Sequence, residues 1–74
     1  MESRAETTIH QPKQRMWLKL LRVERGLTQK QTANACGLQQ SMYSYIENGR
    51  MYPDETDAKK IAEFFNCDYM RFYQ

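Results

Sequence analysis

The sequence predicts a single all-α domain of five short helices, for three reasons. Apolar residues recur every three or four positions, which is the spacing of a helix face, and no segment alternates as a half-buried strand does. Glycine, proline and capping residues separate the segments, so the connections are short. The 74 residues, 41% of them hydrophobic, suffice for one domain, because a chain this short buries only about 60% of its unfolded surface.

The first two predicted helices lie between Lys13 and Cys36. The first spans residues 13–25, and its apolar stripe is formed by Trp17, Leu18, Leu20, Leu21 and Val23. Gly26 ends it, because glycine tolerates the left-handed conformation found after a helix. Thr28 and Gln31 have the spacing of a capping box, which predicts a second helix that runs to about Cys36.

The last two predicted helices follow Pro53. Pro53 and Asp54 open the fourth helix, whose apolar face is formed by Ala58, Ile61, Ala62 and Phe65. Asn66 ends this helix, and Asp68 caps a fifth one of a turn or two. The aromatic residues of the fifth helix are Tyr69, Phe72 and Tyr73.

The first twelve residues are predicted to form a flexible arm ahead of the domain at residues 13–74. They are polar and have too little apolar surface to offset the entropy cost of ordering. The arm lacks the apolar core of a secretory signal, and no apolar run is long enough to span a bilayer. We therefore expect a cytoplasmic protein without membrane contact. In that compartment Cys36 and Cys67 are expected to be free thiols.

Metal, cofactor and enzyme functions are all disfavoured. A structural zinc site needs about four Cys or His ligands, whereas the chain has two cysteines and His10. The only imidazole lies in the arm, so no base is available for a serine or cysteine nucleophile. The three glycines are dispersed after helices and do not form a phosphate-binding loop.

The formal charge of +2 hides an uneven distribution along the chain. Residues 13–52 carry seven bases and two acids, a net of +5, whereas residues 53–74 carry three bases and five acids. A basic body of this kind favours a polyanionic partner, although small soluble domains often have uneven charge.

The middle of the chain has the pattern of a helix-turn-helix. Gly37 breaks the second helix, and a third helix follows from about Gln39 to Glu47, ending at Asn48-Gly49. In this motif the second of the two helices, here the third helix of the chain, presents its first side chains to base edges in the DNA major groove. The residues placed there are Gln39, Gln40 and Ser41, with Tyr45 one turn further along. A glutamine amide can form two hydrogen bonds with an adenine edge.

Residues from Leu18 to Phe72 resemble the phage repressor and Cro type of helix-turn-helix family. The motifs that carry the resemblance, all at the family's spacing, are Leu18, Leu21-Arg22, Gly26-Leu27-Thr28-Gln29, Ala33, Gly37-Leu38, Ile46-Glu47-Asn48-Gly49, Pro53 and Ile61-Ala62. The resemblance implies a λ-repressor-like fold and a sequence-specific regulator of transcription in a bacterium or its phage. It further implies a repressor-like protein that binds double-stranded DNA.

The resemblance also assigns roles to individual residues. The positions that correspond to base readers are Gln39, Gln40, Ser41 and Tyr45. The positions that correspond to backbone contacts are Gln29, Asn48, Arg50 and Tyr52. The basic first helix is expected to add phosphate contacts. Arg22 and Glu47 correspond to an interior ion pair that ties the first helix to the end of the third.

Three positions depart from the family pattern and predict a repacked core. Thr32 replaces a core leucine, Tyr43 a small aliphatic residue, and Glu55 an apolar residue. The Tyr43 hydroxyl is expected to find a partner or to reach solvent.

We expect a homodimer that is held together at the C-terminal end. The aromatic residues there exceed what so small a core can bury; they are Phe64, Phe65, Tyr69, Phe72 and Tyr73. An alternative hypothesis is a protein-interaction module on the same scaffold, such as an antitoxin, an anti-repressor or a coactivator-like domain. It is favoured by the low net charge and by tyrosine and methionine at positions 42, 43, 45, 51 and 52.

Overall fold

The computed structural model describes residues 13–74, which form four α-helices and one 3-10 helix and contain no strand. The elements are α1 Met16–Glu24, α2 Gln29–Cys36, α3 Gln40–Glu47, α4 Glu55–Phe65 and the 3-10 helix Tyr69–Tyr73. The predicted all-α class is confirmed. The predicted arm, residues 1–12, lies outside the described residues.

The fifth helix is a 3-10 helix, so the prediction of five α-helices was wrong in its count. The backbone N–H of Arg71 donates to the carbonyl oxygen of Asp68, three residues earlier, at 3.1 Å. The Asp68 carboxylate caps the segment by accepting from the backbone N–H of Met70 at 3.0 Å. The segment spans five residues, a length at which the tighter helix is common.

The first helix begins at Met16, three residues later than predicted. The reason is a long-range contact that the local sequence does not encode. The backbone N–H of Arg15 donates to the carbonyl oxygen of Glu47 at 2.8 Å. Residues 13–15 therefore run along the C-terminal end of α3 and do not extend α1.

Helix α2 is fixed at both ends. The predicted capping box of α2 is confirmed, because the Thr28 hydroxyl accepts from the Gln31 N–H at 3.0 Å and the Gln31 side chain accepts from the Thr28 N–H at 2.9 Å. Gly37 ends α2 with φ +75°. The N–H of Leu38 then donates to the carbonyl oxygen of Ala33 at 2.8 Å, which directs the chain into α3.

All four α-helices and the 3-10 helix contribute to one hydrophobic core. Its buried members are Leu18, Ala33, Cys36, Tyr43, Ile46, Ala58, Ile61, Phe65 and Phe72. Both cysteines are free, as expected. Phe65 and Phe72 belong to the core, so only Phe64, Tyr69 and Tyr73 of the C-terminal aromatic residues retain exposed surface.

Arg25 attaches the end of α1 to the end of α4. Its guanidinium donates to the carbonyl oxygen of Phe64 at 2.8 Å and lies 5.2 and 5.0 Å from the ring centroids of Phe64 and Phe65.

Among residues 13–74, none of the helices has the length and apolar composition needed to cross a membrane.

Candidate nucleic-acid interface

The start of α3 presents polar side chains to solvent while the rear of the helix is buried. The four positions implied to read bases, Gln39, Gln40, Ser41 and Tyr45, are all exposed. On the opposite side Tyr43 and Ile46 are fully buried. The core therefore holds α3 in place without covering its outer face.

Gln39 lies at the N-cap of α3 and not within the helix, with extended φ and ψ of −71° and 147°. Its side chain makes no capping hydrogen bond, so the amide is available to an external partner. Ser41 and Tyr45 are four residues apart and share one helix face. Tyr45 is 52% exposed, which leaves its ring free for contact.

The loop after α3 brings the implied backbone-contacting residues together. The N–H groups of Gly49 and Arg50 donate to the carbonyl oxygens of Ile46 and Tyr45 at 3.2 and 2.8 Å, which closes the helix in a Schellman motif. The Arg50 side chain is exposed. Half-buried Asn48 donates from its amide to the Ser44 hydroxyl at 3.3 Å.

Tyr52, at the far end of this loop, is 69% exposed. Its ring stacks on that of Tyr73, with the centroids 6.3 Å apart and an interplanar angle of 23°. The Tyr73 hydroxyl donates to the carbonyl oxygen of Pro53 at 2.7 Å. These contacts attach the 3-10 helix to the end of the loop.

Arg22 and Glu47 form a bidentate ion pair between α1 and the end of α3. Arg22 Nε and Nη2 donate to Glu47 Oε1 and Oε2, each at 2.9 Å. The side chains are 13% and 1% exposed. A third guanidinium donor, Nη1, bonds the carbonyl oxygen of Leu27 at 2.8 Å. The pair thus fixes three elements to one another: α1, the turn between α1 and α2, and α3.

Glu47 stays ionised because of its donors. Burial by itself raises the pKa of the carboxyl, but the interactions with the side chains of Arg22, Tyr43 and Gln29 outweigh it, so the pKa lies below its usual value. Gln29 Nε2 donates to Glu47 Oε2 at 3.3 Å. Gln29 is half-buried at the start of α2, and this bond connects it to the ion pair.

The Tyr43 hydroxyl does not reach solvent, and it lies near the Glu47 carboxylate, whose pKa it helps to lower. Tyr43 is fully buried, and among residues 13–74 its hydroxyl is a buried polar group without a hydrogen bond of acceptable geometry. Thr32, next to the turn, is also buried and donates from its hydroxyl to the carbonyl oxygen of Thr28 at 3.0 Å.

Replacing Tyr43 with phenylalanine should leave the free energy of unfolding unchanged or raise it by up to about 1 kcal/mol, because it removes a buried hydroxyl without a partner. Urea denaturation measures the change. A loss of stability would instead mean that the hydroxyl donates productively to the Glu47 carboxylate nearby.

Two bases of the predicted first helix face inward. For Arg22 this agrees with its assignment to the interior ion pair, whereas Arg15 is not available for the phosphate contacts expected of the basic first helix. Arg22 is held by Glu47. Arg15 donates to the carbonyl oxygens of Ile46 and Met51. Arg15 was predicted only as part of the first helix, because its partners lie more than thirty residues away along the chain.

No metal site is formed by the residues that the structure describes, since no three His, Cys, Asp or Glu side chains among them are grouped to hold an ion. Glu55, one of the departures from the family pattern, pairs with Lys59 at 2.9 Å on the surface of α4.

Two short helices joined at a left-handed glycine, with the second held from behind by a shared core, define a helix-turn-helix domain. The helix-turn-helix family model matches residues 18–71, and the chain belongs to this family. It is 38% identical over 60 residues to an uncharacterized HTH-type transcriptional regulator of Bacillus subtilis, YqaF, covering 81% of this chain and 79% of the relative. That name describes a regulator and not an enzyme, in agreement with the predicted class. No solved structure matches the chain.

Proposed function

We propose that this chain is a transcriptional regulator that binds double-stranded DNA by inserting α3 into the major groove. The observation that carries the proposal is the outward exposure of all four candidate readers at the start of α3. Membership of the helix-turn-helix family, and a relative that is named as a transcriptional regulator, support the same class.

The side chains at the start of α3 match the chemistry of base edges. Gln39 and Gln40 offer a donor and an acceptor each, which pair with the N6 and N7 positions of adenine. The Ser41 hydroxyl bonds to either type of edge. The exposed ring of Tyr45 contacts a thymine methyl group or a phosphate.

The loop after α3 and the start of α2 supply contacts to the DNA backbone. Arg50 offers an exposed guanidinium, while Asn48 and Tyr52 flank it in the same loop. Gln29 retains one amide N–H beyond the one that it gives to Glu47. These contacts determine orientation and affinity, whereas the glutamines determine sequence preference.

A repressor-like homodimer completes the proposal. The C-terminal end retains apolar surface on Tyr73 and Met70, which are 40% and 47% exposed. Phe64 and Tyr69, which belong to the same C-terminal part of the chain, are half-buried. Two copies joined there read two half-sites about 34 Å apart, one turn of the duplex.

The experiment that tests this function is selection of bound sites from a random duplex pool with the full chain. A palindromic consensus with half-sites about one turn apart is expected. Recovery of no enriched sequence contradicts sequence-specific binding, and a consensus without symmetry contradicts the homodimer.

Replacing Gln40 with alanine should reduce the preference for the consensus base by about 1–3 kcal/mol while binding to unrelated duplex stays nearly constant. Competition binding with single-base variants of the site measures both quantities. Gln74→Ala removes another exposed glutamine, outside α3, and is the control. An equal loss on consensus and unrelated duplex would exclude Gln40 as a base reader.

The alternative function is binding of a protein partner through the same face. Tyr45 and Tyr52 favour it by their exposure. Tyr43 is fully buried, however, and Met42 and Met51 pack against the core, so the predicted tyrosine and methionine surface is reduced. Salt separates the two functions. Duplex affinity falls with a log–log slope of about −0.9 per phosphate neutralised, and a flat response favours the protein partner.

A further inference from the structure

Arg15 connects the two ends of the loop that follows α3. Its Nη1 donates to the carbonyl oxygen of Ile46, in the last turn of α3, and to that of Met51 at 3.0 Å. Its backbone N–H donates to the carbonyl oxygen of Glu47 at 2.8 Å. One residue thus bonds the helix end and the far end of the loop at once.

The same guanidinium also packs against aromatic rings. Its central carbon lies 5.0 Å from the centroid of the Tyr52 ring and 5.8 Å from that of Phe72. A cation over a ring face gains from the ring quadrupole, most of all when partly removed from water. Arg15 therefore restrains Tyr52 as well as the main chain on either side of Arg50.

The loop is also held by Met51, which packs against the core, and by Tyr52, which stacks on Tyr73. The N–H groups of Gly49 and Arg50 bond back to α3, but the side chain of Arg50 is exposed. The charge-assisted bond from Arg15 to the carbonyl oxygen of Met51 adds a restraint on the main chain immediately after Arg50.

We propose that Arg15 is a positioning residue, which holds the loop Asn48–Tyr52 so that Arg50 meets the DNA backbone. Arg15 itself faces the fold and does not contact DNA. The inference rests on the proposed function, because it concerns how that function's backbone contacts are oriented.

The test is a double-mutant cycle between Arg15→Met and Arg50→Ala, measured as the salt dependence of binding to a duplex by the full 74-residue chain. Arg50→Ala alone should lower the magnitude of the log–log slope by about 0.9, as loss of one phosphate contact does. Arg15→Met alone should lower it by a similar amount. Adding Arg50→Ala to Arg15→Met should then change the slope little, because the contact is already lost.

Arg25→Met is the matched control. Arg25 also donates to a carbonyl oxygen at a helix end and lies over two aromatic rings, but at the end of α4. The Arg25→Met substitution therefore removes the same charge and the same kind of packing. The log–log slope of its salt dependence should stay near that of the wild type.

A second measurement, in the absence of DNA, separates local loosening from loss of the fold. In Arg15→Met, amide hydrogen exchange at Gly49 and Arg50 should accelerate on the order of tenfold, with amides in α4 unchanged. Uniform acceleration everywhere would mean a purely structural role and would overturn the inference.

The two proposals fail in different ways. Additive effects of Arg15→Met and Arg50→Ala mean that Arg15 acts independently of the loop, which overturns this inference alone. An Arg15→Met slope equal to that of the wild type does the same. A wild-type chain that binds no duplex contradicts the proposed function and this inference together.

Discussion

Replacing Arg22 with methionine should lower the free energy of unfolding by about 3–5 kcal/mol at pH 7. The substitution leaves the Glu47 carboxylate, only 1% exposed, without its bidentate partner, and an uncompensated buried charge is among the most costly changes in a folded protein. Since a whole domain is stable by only about 5–15 kcal/mol, the variant should be close to unfolding. Urea denaturation followed by circular dichroism measures the loss.

Two further variants keep this prediction testable if Arg22→Met does not fold. Combining it with Glu47→Leu removes both charges, and should recover most of the stability because an apolar pair can replace a buried ion pair. Lys59→Met removes the exposed pair with Glu55, which has the same 2.9 Å separation, and should change the midpoint very little. Equal losses of stability in Arg22→Met and Lys59→Met would contradict the explanation that the loss arises from burial of the Glu47 carboxylate.

The same pair predicts how stability depends on pH. The pKa of Glu47 is lowered in the folded protein from its ordinary value of 4.5. Its contribution is therefore complete above that value and is lost as the pH falls through the folded-state pKa. In Arg22→Met the unpaired Glu47 carboxyl has a raised pKa, so on acidification it takes up a proton at a higher pH than in the wild type. The difference in free energy of unfolding between the variant and the wild type should therefore narrow as the pH falls.

A left-handed backbone conformation costs a residue with a side chain about 1–2 kcal/mol. Replacing Gly49 with alanine should lower the free energy of unfolding by more than this penalty. Gly49 has φ +78°, and an added Cβ would overlap the carbonyl oxygen of Lys13. That oxygen belongs to the main chain, so residues 13–15 would have to leave the end of α3. Thermal or urea denaturation measures the effect.

Gly37→Ala is the control for Gly49→Ala. Gly37 has nearly the same φ, +75°, but open space around the added Cβ. Its replacement should cost only the conformational penalty, and the difference between the two variants measures the close approach of Lys13. Equal losses at both positions would mean that residues 13–15 move aside without cost.

The elements that local signals encode were predictable from the sequence. The capping box at Thr28 and Gln31 and the glycine after α2 are read directly from residue type and spacing, and both are present. The outer face of α3 followed from the same periodicity, because residues opposite the buried Tyr43 and Ile46 must face solvent.

The contacts of Arg15 and Tyr43 could not be predicted in this way. The local sequence places Arg15 in the first turn of a helix. Its N–H and guanidinium nevertheless bond the end of α3, more than thirty residues away. The Tyr43 hydroxyl was expected to be satisfied, yet the core encloses it near Glu47 without a hydrogen bond of acceptable geometry. Long-range bonds depend on how the helices pack and leave no periodic trace in the sequence.

The sequence by itself determined the helical class, the turn at Gly37 and the polar residues at the start of α3, because caps, glycines and apolar spacing act over a few neighbouring residues. The tertiary structure alone decided which bases remain available to a partner. It turned Arg15 inward and left Arg50 exposed, since only the packed fold brings main-chain carbonyl acceptors within reach of a guanidinium.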